Sequence, residues 1–514
     1  MDRRRFIVLG TAGSVAVLTG CGGSGGGGGV ATPPTGTTPP PPASPPASNP
    51  PPATPVSPLT VGQPLADLVR LANTSATANV YEATLRAQRA VKSMLAATTT
   101  EFWTFSGLVP GPLIEVFEGD TVRIRLENRL AQDTTVHWHG LPVPPDQDGS
   151  PMDPVAPGAT RLYEFTLPVG SAGTYWYHPH PHRFTAEQVF RGMAGLLVVR
   201  SRTDPVPATI AEKLLVISDL RLAADGTIPP NTPMDWQIGR EGNYVLVNGQ
   251  YQPVLTINPG QSQRWRILNA TNARYLRLAL SGHTFTLIGT DGGLLDASVP
   301  GLDELLLVPG QRVEVIVTAG LNAGGTTVLQ SLPYARGAMG MGMMGGGSST
   351  IPLLTVAYSQ SATLPAAMPT SLRPIAPLGA PIAYKHLVLS SGMGMGMMGG
   401  GGMMQFLIDG KSFDPARVDL TSRVNQVEQW TVENRSSMDH PFHLHGTQFQ
   451  VVSRSRGGAT IPEPTLAWRD VVNVAAFESV VFRVVQSQLG MRMYHCHILE
   501  HETQGMMGVL EVVA

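Results

Sequence analysis

Most histidines of this sequence stand in four short clusters, two in the first part of the chain and two near its C-terminal end. Ten of the 13 histidines belong to these clusters. The clusters hold four His-x-His pairs, which are His137/His139, His178/His180, His443/His445 and His495/His497. Residues i and i+2 of an extended strand share a face, so each pair presents two imidazoles side by side. Imidazole suits copper, and without carboxylates at these positions calcium, magnesium and manganese are disfavoured. If the two parts of the chain meet, the pairs can hold three copper ions.

A second kind of site surrounds the last pair. Cys496 lies between His495 and His497, so its sulfur should point to the opposite face of the strand. Two histidines, a thiolate and a weak axial thioether compose a blue copper site, which transfers one electron at a time. The residues with this composition are His440, Cys496, His501 and Met506. The backbone from Cys496 to its neighbours would then carry electrons between the two centres.

The elements that position these residues are expected to be strands. Short alternating or β-branched runs are separated by turns rich in Gly, Pro and Asn, which is typical of sandwiches and barrels. Good examples of such runs are Leu113–Phe117, Thr121–Leu126, Leu214–Ile217, Val245–Val247 and Val480–Val485. Amphipathic helical patterns are scarce, and the better candidates are Ala66–Leu71 and Ala87–Ala96. Proline-rich breaks near residues 203–208 and 363–381 predict three β domains of similar size.

The first 58 residues differ in composition from the rest. Residues 1–21 have a basic start with an arginine pair, a short apolar run and the sequence Leu18-Thr19-Gly20-Cys21. This stretch predicts a secretory signal that resembles a twin-arginine signal ending in a lipobox. Residues 22–58, rich in Gly, Pro, Ser and Thr, are expected to form a disordered tether. We therefore expect export to the periplasm or cell envelope and a lipid anchor at Cys21; the alternative is ordinary cleavage without acylation.

Composition excludes some classes of function. Charged residues make up 14% of the chain and the net charge is −2, with no long basic run, so nucleic acid is not an expected partner. Cys21 and Cys496 are the two cysteines, which leaves the mature fold without an internal disulfide. Cys496 is therefore free for metal chemistry.

The four histidine clusters resemble the copper-binding motifs of the multicopper oxidases, a family that includes laccases, ascorbate oxidase and bacterial cuprous oxidases. The resemblance extends to Pro110-Gly111-Pro112, Gly119-Asp120, Asn248-Gly249 and Asp291-Gly292-Gly293. It implies an all-β fold of three cupredoxin-like Greek-key domains, at residues 59–205, 206–375 and 376–514. It also implies four copper ions, with a trinuclear cluster between the first and third domains.

The resemblance also assigns individual residues. Type 1 copper would be bound by His440, Cys496, His501 and Met506, type 2 copper by His137 and His443, and the type 3 pair by His139, His178, His180, His445, His495 and His497. Asp148 and Glu502 match acidic positions that relay protons in this family, although a carboxylate there can also balance the charge of copper. His182 is expected near the site or at the surface, and His283 and His386 lie outside the motifs.

Ten of the 21 methionines stand in two Gly-rich segments, and soft thioethers of this kind bind Cu(I). The methionines of the first segment are Met339, Met341, Met343 and Met344, and those of the second are Met393, Met395, Met397, Met398, Met403 and Met404. Bacterial cuprous oxidases carry a methionine-rich insert at the second position, and Met438 and Asp439 could add docking groups. Ser436, however, replaces an acidic copper ligand that is common in that subgroup.

Three functions remain open at this stage. The first is a cuprous oxidase for copper tolerance, which takes electrons from Cu(I) and passes them to O2. The second is a laccase-like oxidase of phenols or aromatic amines, in which the methionine-rich segments form a lid. The third is a non-catalytic, copper-sequestering envelope protein. The softness of the thioethers favours Cu(I) over a small aromatic reductant, and the protein is expected to be a monomer.

Overall fold

The computed structural model describes residues 59–320, 324–337, 349–393 and 404–514. The expected signal, tether and anchor at Cys21 lie outside the described residues. So do Met339, Met341, Met343, Met344, Met395, Met397, Met398 and Met403. Strands dominate the described residues and form six sheets, which confirms the all-β prediction.

The first pair of sheets follows the alternating pattern of its strands. In β4, for example, Val122, Ile124 and Leu126 are buried while the residues between them are not. The sheets have the strand orders β2-β1-β4-β6 and β3-β8-β7-β5. The strands are β1 (Val80–Lys92), β2 (Thr100–Phe105), β3 (Gly111–Phe117), β4 (Thr121–Asn128), β5 (His137–His139), β6 (Thr160–Thr166), β7 (Gly173–His178) and β8 (Gly195–Arg200).

The second pair of sheets encloses its own apolar cluster, which includes Trp265, Ile267 and Val315. Its strand orders are β11-β10-β9-β13-β18-β15-β16 and β12-β20-β19-β14-β17. The strands are β9 (Ala211–Leu220), β10 (Tyr244–Val247), β11 (Gln250–Tyr251), β12 (Val254–Ile257), β13 (Ser262–Asn269), β14 (Leu276–Leu280), β15 (Phe285–Thr290), β16 (Gly293–Leu302), β17 (Leu305–Leu307), β18 (Arg312–Thr318), β19 (Thr326–Leu332) and β20 (Ile351–Tyr358).

The third pair of sheets buries Cys496 and Met506 in its apolar cluster. Its strand orders are β22-β21-β24-β29-β26-β27 and β23-β31-β30-β25-β28. The strands are β21 (Ala383–Met393), β22 (Met404–Ile408), β23 (Leu420–Arg423), β24 (Val427–Asn434), β25 (His440–Leu444), β26 (Phe449–Arg456), β27 (Ala459–Pro462), β28 (Val471–Val474), β29 (Glu478–Val485), β30 (Gly490–Cys496) and β31 (Met507–Val513).

Helices are short among the described residues. They are α1 (Thr185–Phe190), α2 (Pro233–Ile238) and α3 (Leu499–Thr503), with a 3-10 turn at Pro145–Gln147. None of them has the length and apolar character that crossing a membrane requires.

The helices predicted at Ala66–Leu71 and Ala87–Ala96 are wrong. The first segment is extended, and Arg70 forms a β-bridge with Leu113. Most of the second segment continues β1, which pairs with β2 on one side and β4 on the other. Pairing with two neighbours satisfies the backbone of β1 and overrides a helical preference that is weak in itself.

Strand register brings histidines together within each end of the chain. In the first pair of sheets β5 runs antiparallel to β7, and His137 stands opposite His178. In the third pair β25 runs antiparallel to β30, and His443 stands opposite His495. Two separate backbone ladders therefore hold one or both histidines of each His-x-His pair, and His180, His445 and His497 lie just beyond the strand ends.

Candidate metal centre

Buried histidines from the two ends of the chain converge on one another. The Nε2 atoms of His137 and His443 are 3.4 Å apart, although the residues are 306 positions apart in the sequence. The Nε2 atom of His495 lies 3.2 Å from that of His180 and 3.0 Å from that of His445. Three sets bring their ligand nitrogens within 4.8 Å of one another: His139, His178 and His497; His180, His445 and His495; and His137, His443 and His445.

The hydrogen bonds of these rings fix where their lone pairs point. The Nδ1 atoms of His137 and His443 lie 3.0 and 2.7 Å from the carbonyl oxygens of Asp148 and Asp470. A carbonyl can only accept, so each Nδ1 carries the proton and each Nε2 is left with a lone pair. Two lone pairs therefore face each other across 3.4 Å, which is favourable only when a cation lies between the rings.

Several ring nitrogens in this group lack any hydrogen-bond partner among the described residues. They are Nε2 of His139, Nε2 of His178, Nδ1 of His180 and both ring nitrogens of His497, all of them buried. An unpaired buried nitrogen is costly unless a metal takes the place of the missing partner. A group composed of imidazole nitrogens suits copper, and the three sets fit three ions.

Burial also keeps these histidines in the form that binds metal. It lowers the pKa of His495 to about 3 and that of His139, His178 and His443 well below the usual value. Neighbouring imidazoles lower the pKa values further, because each protonated ring would repel the others. The rings are therefore neutral, as metal coordination requires.

The second group lies within the third pair of sheets. The Nδ1 atoms of His440 and His501 lie 3.4 and 3.8 Å from Sγ of Cys496, and all three side chains are buried. The Nε2 atom of His501 lies 3.2 Å from the carbonyl oxygen of Gln237, and that of His440 lies 2.9 Å from Oγ of Ser436. The outer nitrogen of each ring is thus occupied and the inner nitrogen faces the sulfur.

Burial raises the pKa of the Cys496 thiol well above its usual value, so a thiolate forms here only with a cation beside it. Met506 is buried in the same apolar cluster, and its carbonyl oxygen accepts a hydrogen bond of 3.1 Å from the Cys496 amide. Two imidazoles, one thiol and a nearby thioether have the composition of a blue copper site.

Comparison with known proteins agrees with this geometry. Models of the multicopper oxidase family match residues 86–204, 220–327 and 390–514. The multicopper oxidase mco of Staphylococcus haemolyticus is 32% identical over 437 residues, which cover 84% of this chain and 88% of the relative. The chain belongs to the multicopper oxidase family. It is an oxidoreductase that contains copper and uses O2 as its electron acceptor, and its fold is cupredoxin-like.

Two solved structures are similar over most of their length. A multicopper oxidase from Campylobacter jejuni, described as a metallo-oxidase, is 43% identical with a TM-score of 0.82. The similarity covers 88% of this chain and 96% of that one. A laccase from Pediococcus acidilactici Pa5930 is 32% identical with a TM-score of 0.77, covering 88% of this chain and 94% of that one.

In this multicopper oxidase the predicted carboxylate Asp148 lies against the trinuclear histidines. One carboxylate oxygen is 2.7 Å from Nδ1 of His445 and the other is 3.2 Å from Nδ1 of His137. Gly149, at φ +72°, lets the loop approach this closely, because a Cβ there would lie 2.0 Å from the carbonyl oxygen of Val136. Asp148 therefore contacts both rings, accepting from His137 at its backbone carbonyl oxygen and from His445 at its carboxylate.

The predicted carboxylate Glu502 lies on α3, on another side of the cluster. Its Oε1 atom is 3.5 Å from Nδ1 of His180 and accepts a hydrogen bond from Thr185, while Oε2 accepts one from Thr503. Complete burial raises the pKa of Glu502 to about 8. The carboxyl can therefore hold a proton at neutral pH and release it to a base nearby. When bound, the copper ions supply the chemistry that reduces O2 to water.

Two carboxylates near the copper sites were missed by the sequence analysis. Asp470 has Oδ1 3.4 Å from Nδ1 of His139, and its carbonyl oxygen accepts the bond from His443. Glu500 accepts a 2.9 Å hydrogen bond from Asn272, and burial raises its pKa to about 7. The available signals were weak: Asp470 directly precedes an apolar strand, and Glu500 is adjacent to the ligand His501.

The other candidate residues have different environments. The ring of His182 packs at a tilt against Phe413 with the centroids 5.0 Å apart, His283 contacts Tyr358 and His386 pairs with Glu433. None of the three belongs to a copper set among the described residues. Met438 is buried in the apolar cluster of the third pair of sheets.

Asp439 is also buried, and its two oxygens accept three hydrogen bonds. The donors are the Tyr334 hydroxyl at 2.7 Å, the Asn473 side chain at 3.1 Å and the Ala476 amide at 2.9 Å. A metal ion could reach this carboxylate only by displacing these donors. The packing of Asp439 therefore does not support its predicted role in docking Cu(I).

Proposed function

We propose that this multicopper oxidase takes its electrons from Cu(I) and serves in copper tolerance. The observation that carries the proposal is the place where the two methionine-rich segments join the described structure. Both joins lie beside the type 1 residues His440, Cys496 and His501.

The second segment, residues 394–403, connects β21 to β22. These strands pair antiparallel, and their last pair is Met393 opposite Met404. Two residues further along β22, Phe406 stacks on His501 with the ring centroids 3.6 Å apart. A ligand held at this end of the hairpin would therefore be close to a type 1 histidine.

The first segment, residues 338–348, follows Gly337. A Cβ at Gly337 would lie 2.0 Å from the carbonyl oxygen of Ser437, so the backbones of the two loops touch. The carbonyl of Arg336 also accepts a 2.8 Å hydrogen bond from the amide of Asp439, next to His440. The chain thus enters this segment beside the loop that leads into β25.

The chemistry of the segments matches the type 1 centre. Thioethers prefer Cu(I) to Cu(II), and the Gly residues between the methionines add no side chains that would compete with the sulfurs for one ion. Oxidation of Cu(I) releases one electron, which is the unit that a blue copper site accepts. The similar protein from Campylobacter jejuni, described as a metallo-oxidase, supports a metal donor.

The second candidate is a laccase-like activity toward phenols or aromatic amines. The similarity to a Pediococcus laccase favours it. In that case the methionine-rich segments would limit access to the type 1 site, and their removal should increase the oxidation of phenols.

A comparison of donors tests the proposal. We expect kcat/KM, measured as oxygen consumption by the copper-loaded enzyme, to be clearly higher with Cu(I) than with a methoxyphenol. We also expect phenol oxidation to require added Cu(II) as a shuttle. Oxidation of the phenol at an equal rate without added copper would overturn the cuprous assignment and favour the laccase.

A matched variant distinguishes two roles of the second methionine-rich segment, which are to bind Cu(I) and to limit access to the type 1 site. Replacing Met395, Met397, Met398 and Met403 by leucine preserves apolar volume and removes the sulfur ligands. We expect a lower kcat/KM for Cu(I) and an unchanged value for the phenol. The leucine variant of Met234, an exposed methionine of α2, is the control and should leave both values unchanged.

We also propose that the protein is exported and held in the cell envelope as a lipid-anchored monomer. The basic start, apolar run and Cys21 support this location. Mass spectrometry of the mature N-terminus is expected to show an acylated Cys21, and Cys21→Ser should release the protein into the soluble fraction. An unmodified terminus upstream or downstream of Cys21 would refute the anchor.

A further inference from the structure

The middle pair of sheets supplies none of the histidines in the copper sets, yet one of its turns reaches them. Gly310, in the turn before β18, has φ +84°. A Cβ at this position would lie 2.9 Å from Nε2 of His497 and 3.0 to 3.1 Å from two carbons of that ring. The backbone of the turn therefore packs directly on a trinuclear histidine.

Arg312, two residues later, is completely buried and fully engaged. Its Nη1 and Nη2 atoms donate to the two oxygens of Asp470 at 2.8 and 2.6 Å. Its remaining hydrogen bonds go to three carbonyl oxygens, those of Thr174, Gly310 and Asp291, at 2.8 to 3.0 Å. A planar guanidinium held at this many points fixes the carboxylate that it binds in one orientation.

Asp470, held in this way, contacts histidines of two copper sets. Its Oδ1 atom lies 3.4 Å from Nδ1 of His139, and Nη1 of Arg312 lies 3.4 Å from the same nitrogen. The carbonyl of Asp470 accepts the 2.7 Å bond from Nδ1 of His443. The backbone at Gly140 packs closely against this ion pair, because a Cβ there would lie 2.1 Å from Oδ2 of Asp470 and 2.7 Å from Nη2 of Arg312.

We propose that Arg312 is a positioning residue of the trinuclear site, through which the middle domain sets the orientation of Asp470, His139 and His443 for copper binding. Without Arg312 the Asp470 carboxylate would be a buried charge without a bidentate partner and would turn away from its present orientation. His139 would then lose the neighbour that orients its ring. The type 1 histidines use other anchors, Ser436 and the carbonyl of Gln237, and should bind copper as before.

The test compares Arg312→Gln with Arg264→Gln. Arg264 is a matched control, because it is a buried arginine on the adjacent strand β13 that pairs with Glu314 and Asp204. Each metal-free variant is titrated with copper against a competing chelator. The blue absorption reports the type 1 site, and the type 2 EPR signal and the type 3 near-ultraviolet band report the trinuclear site. None of these readouts uses a substrate, so the result is independent of the Cu(I) proposal.

We expect Arg312→Gln to weaken trinuclear copper binding by about 10- to 100-fold, with type 1 binding unchanged and with altered type 2 hyperfine splitting. Arg264→Gln should leave both sites as in the wild type. Loss of type 1 and trinuclear copper in equal measure, or equal effects of the two arginine variants, would show that Arg312 has only a general structural role.

Two further variants keep the test decisive if Arg312→Gln folds poorly. Gly140→Ala keeps the arginine itself, but the added Cβ would push the side chains of Arg312 and Asp470 apart. We expect this variant to lower the affinity of the trinuclear site for copper in the same way. In the Asp470→Asn background, Arg312→Gln should cause no further loss of trinuclear copper, since Arg312 acts through Asp470. Full additivity of these two substitutions, or wild-type copper binding by Gly140→Ala, would overturn the proposal.

Discussion

The two copper centres of this protein are made of similar residues but are assembled in opposite ways. The type 1 residues lie within about 70 positions of one another, between Ser436 and Met506, and within one pair of sheets. The trinuclear residues come from strands more than 300 positions apart, as with His137 and His443. The ligands of the first centre lie within one domain, whereas those of the second come from two domains that must meet.

The supporting contacts of the two centres differ in chemical kind. Each type 1 histidine has one anchor for its outer nitrogen, a hydroxyl or a carbonyl. The trinuclear histidines are supported by carboxylates and by a buried arginine of the middle domain. Buried charges are costly unless they are completely paired, so their presence at an interface indicates that geometry is selected there at the expense of stability.

The largest expected effect comes from removing a ligand of the type 1 centre alone. Cys496→Ser removes the thiolate, and we expect the blue absorption to vanish and oxidase activity to fall to the level of the metal-free protein. The trinuclear site should remain loaded, because serine leaves His495 and His497 in place on either side of position 496. EPR of the purified variant checks this prediction. Loss of the type 2 signal together with the blue colour would show that the two centres do not assemble independently.

A smaller effect is expected at the interface when a carboxylate loses its charge. Asp148→Asn keeps the shape of the side chain but removes the negative charge that lies beside the rings of His137 and His445. We expect a loss of kcat/KM of about 10- to 100-fold with the type 1 spectrum intact. Oxygen consumption and absorption spectra of the same sample measure both quantities.

Ser436→Ala is the matched control for Asp148→Asn, since it removes a single neutral hydrogen bond from the type 1 histidine His440. It should reduce activity by no more than about tenfold, in keeping with about 1 kcal/mol for one such bond. Equal losses of activity in both variants would contradict the view that the trinuclear site depends more strongly on the residues around its ligands than the type 1 site does.

The sequence predicted the parts of the protein that depend on local spacing. His-x-His pairs report their geometry directly, because a strand places i and i+2 on one face. The structure accordingly brings His139, His178 and His497 together, and it separates Cys496 from its neighbours His495 and His497. Strands such as Val480–Val485 were predicted for the same reason, since their alternation has a period of two.

What the sequence could not predict depends on distant partners. Asp470 gains its role from Arg312, which lies 158 positions away. Residues 87–92 were misassigned as helical because Ala, Arg and Gln are good helix formers, whereas pairing with β2 and β4 decides the outcome.

A last expected effect, on the stability of the metal-free protein rather than on activity, follows from Glu502. Burial raises the pKa of this carboxyl from 4.5 to about 8, with Thr185, Thr503, His180 and Glu500 around it. Between these two pH values the folded protein binds more protons than the unfolded chain. The contribution of Glu502 to stability is therefore present at low pH and is lost as the pH rises, by at most about 1.4 kcal/mol per pH unit.

The variant Glu502→Gln isolates this contribution, because glutamine stays neutral at every pH. The buried histidines have lowered pKa values and destabilise the fold as the pH falls below 6.5, but they do so in both proteins and cancel in the difference. Urea unfolding of both metal-free proteins from pH 5 to pH 9 gives the difference in the free energy of unfolding. We expect the free energy of unfolding of the variant, relative to that of the wild type, to increase as the pH rises toward about 8. Above that pH the difference between the two proteins should stay constant. A difference that does not change with pH would mean that Glu502 is already ionised in the folded protein, and that the carboxyl at this interface does not hold a proton before copper binds.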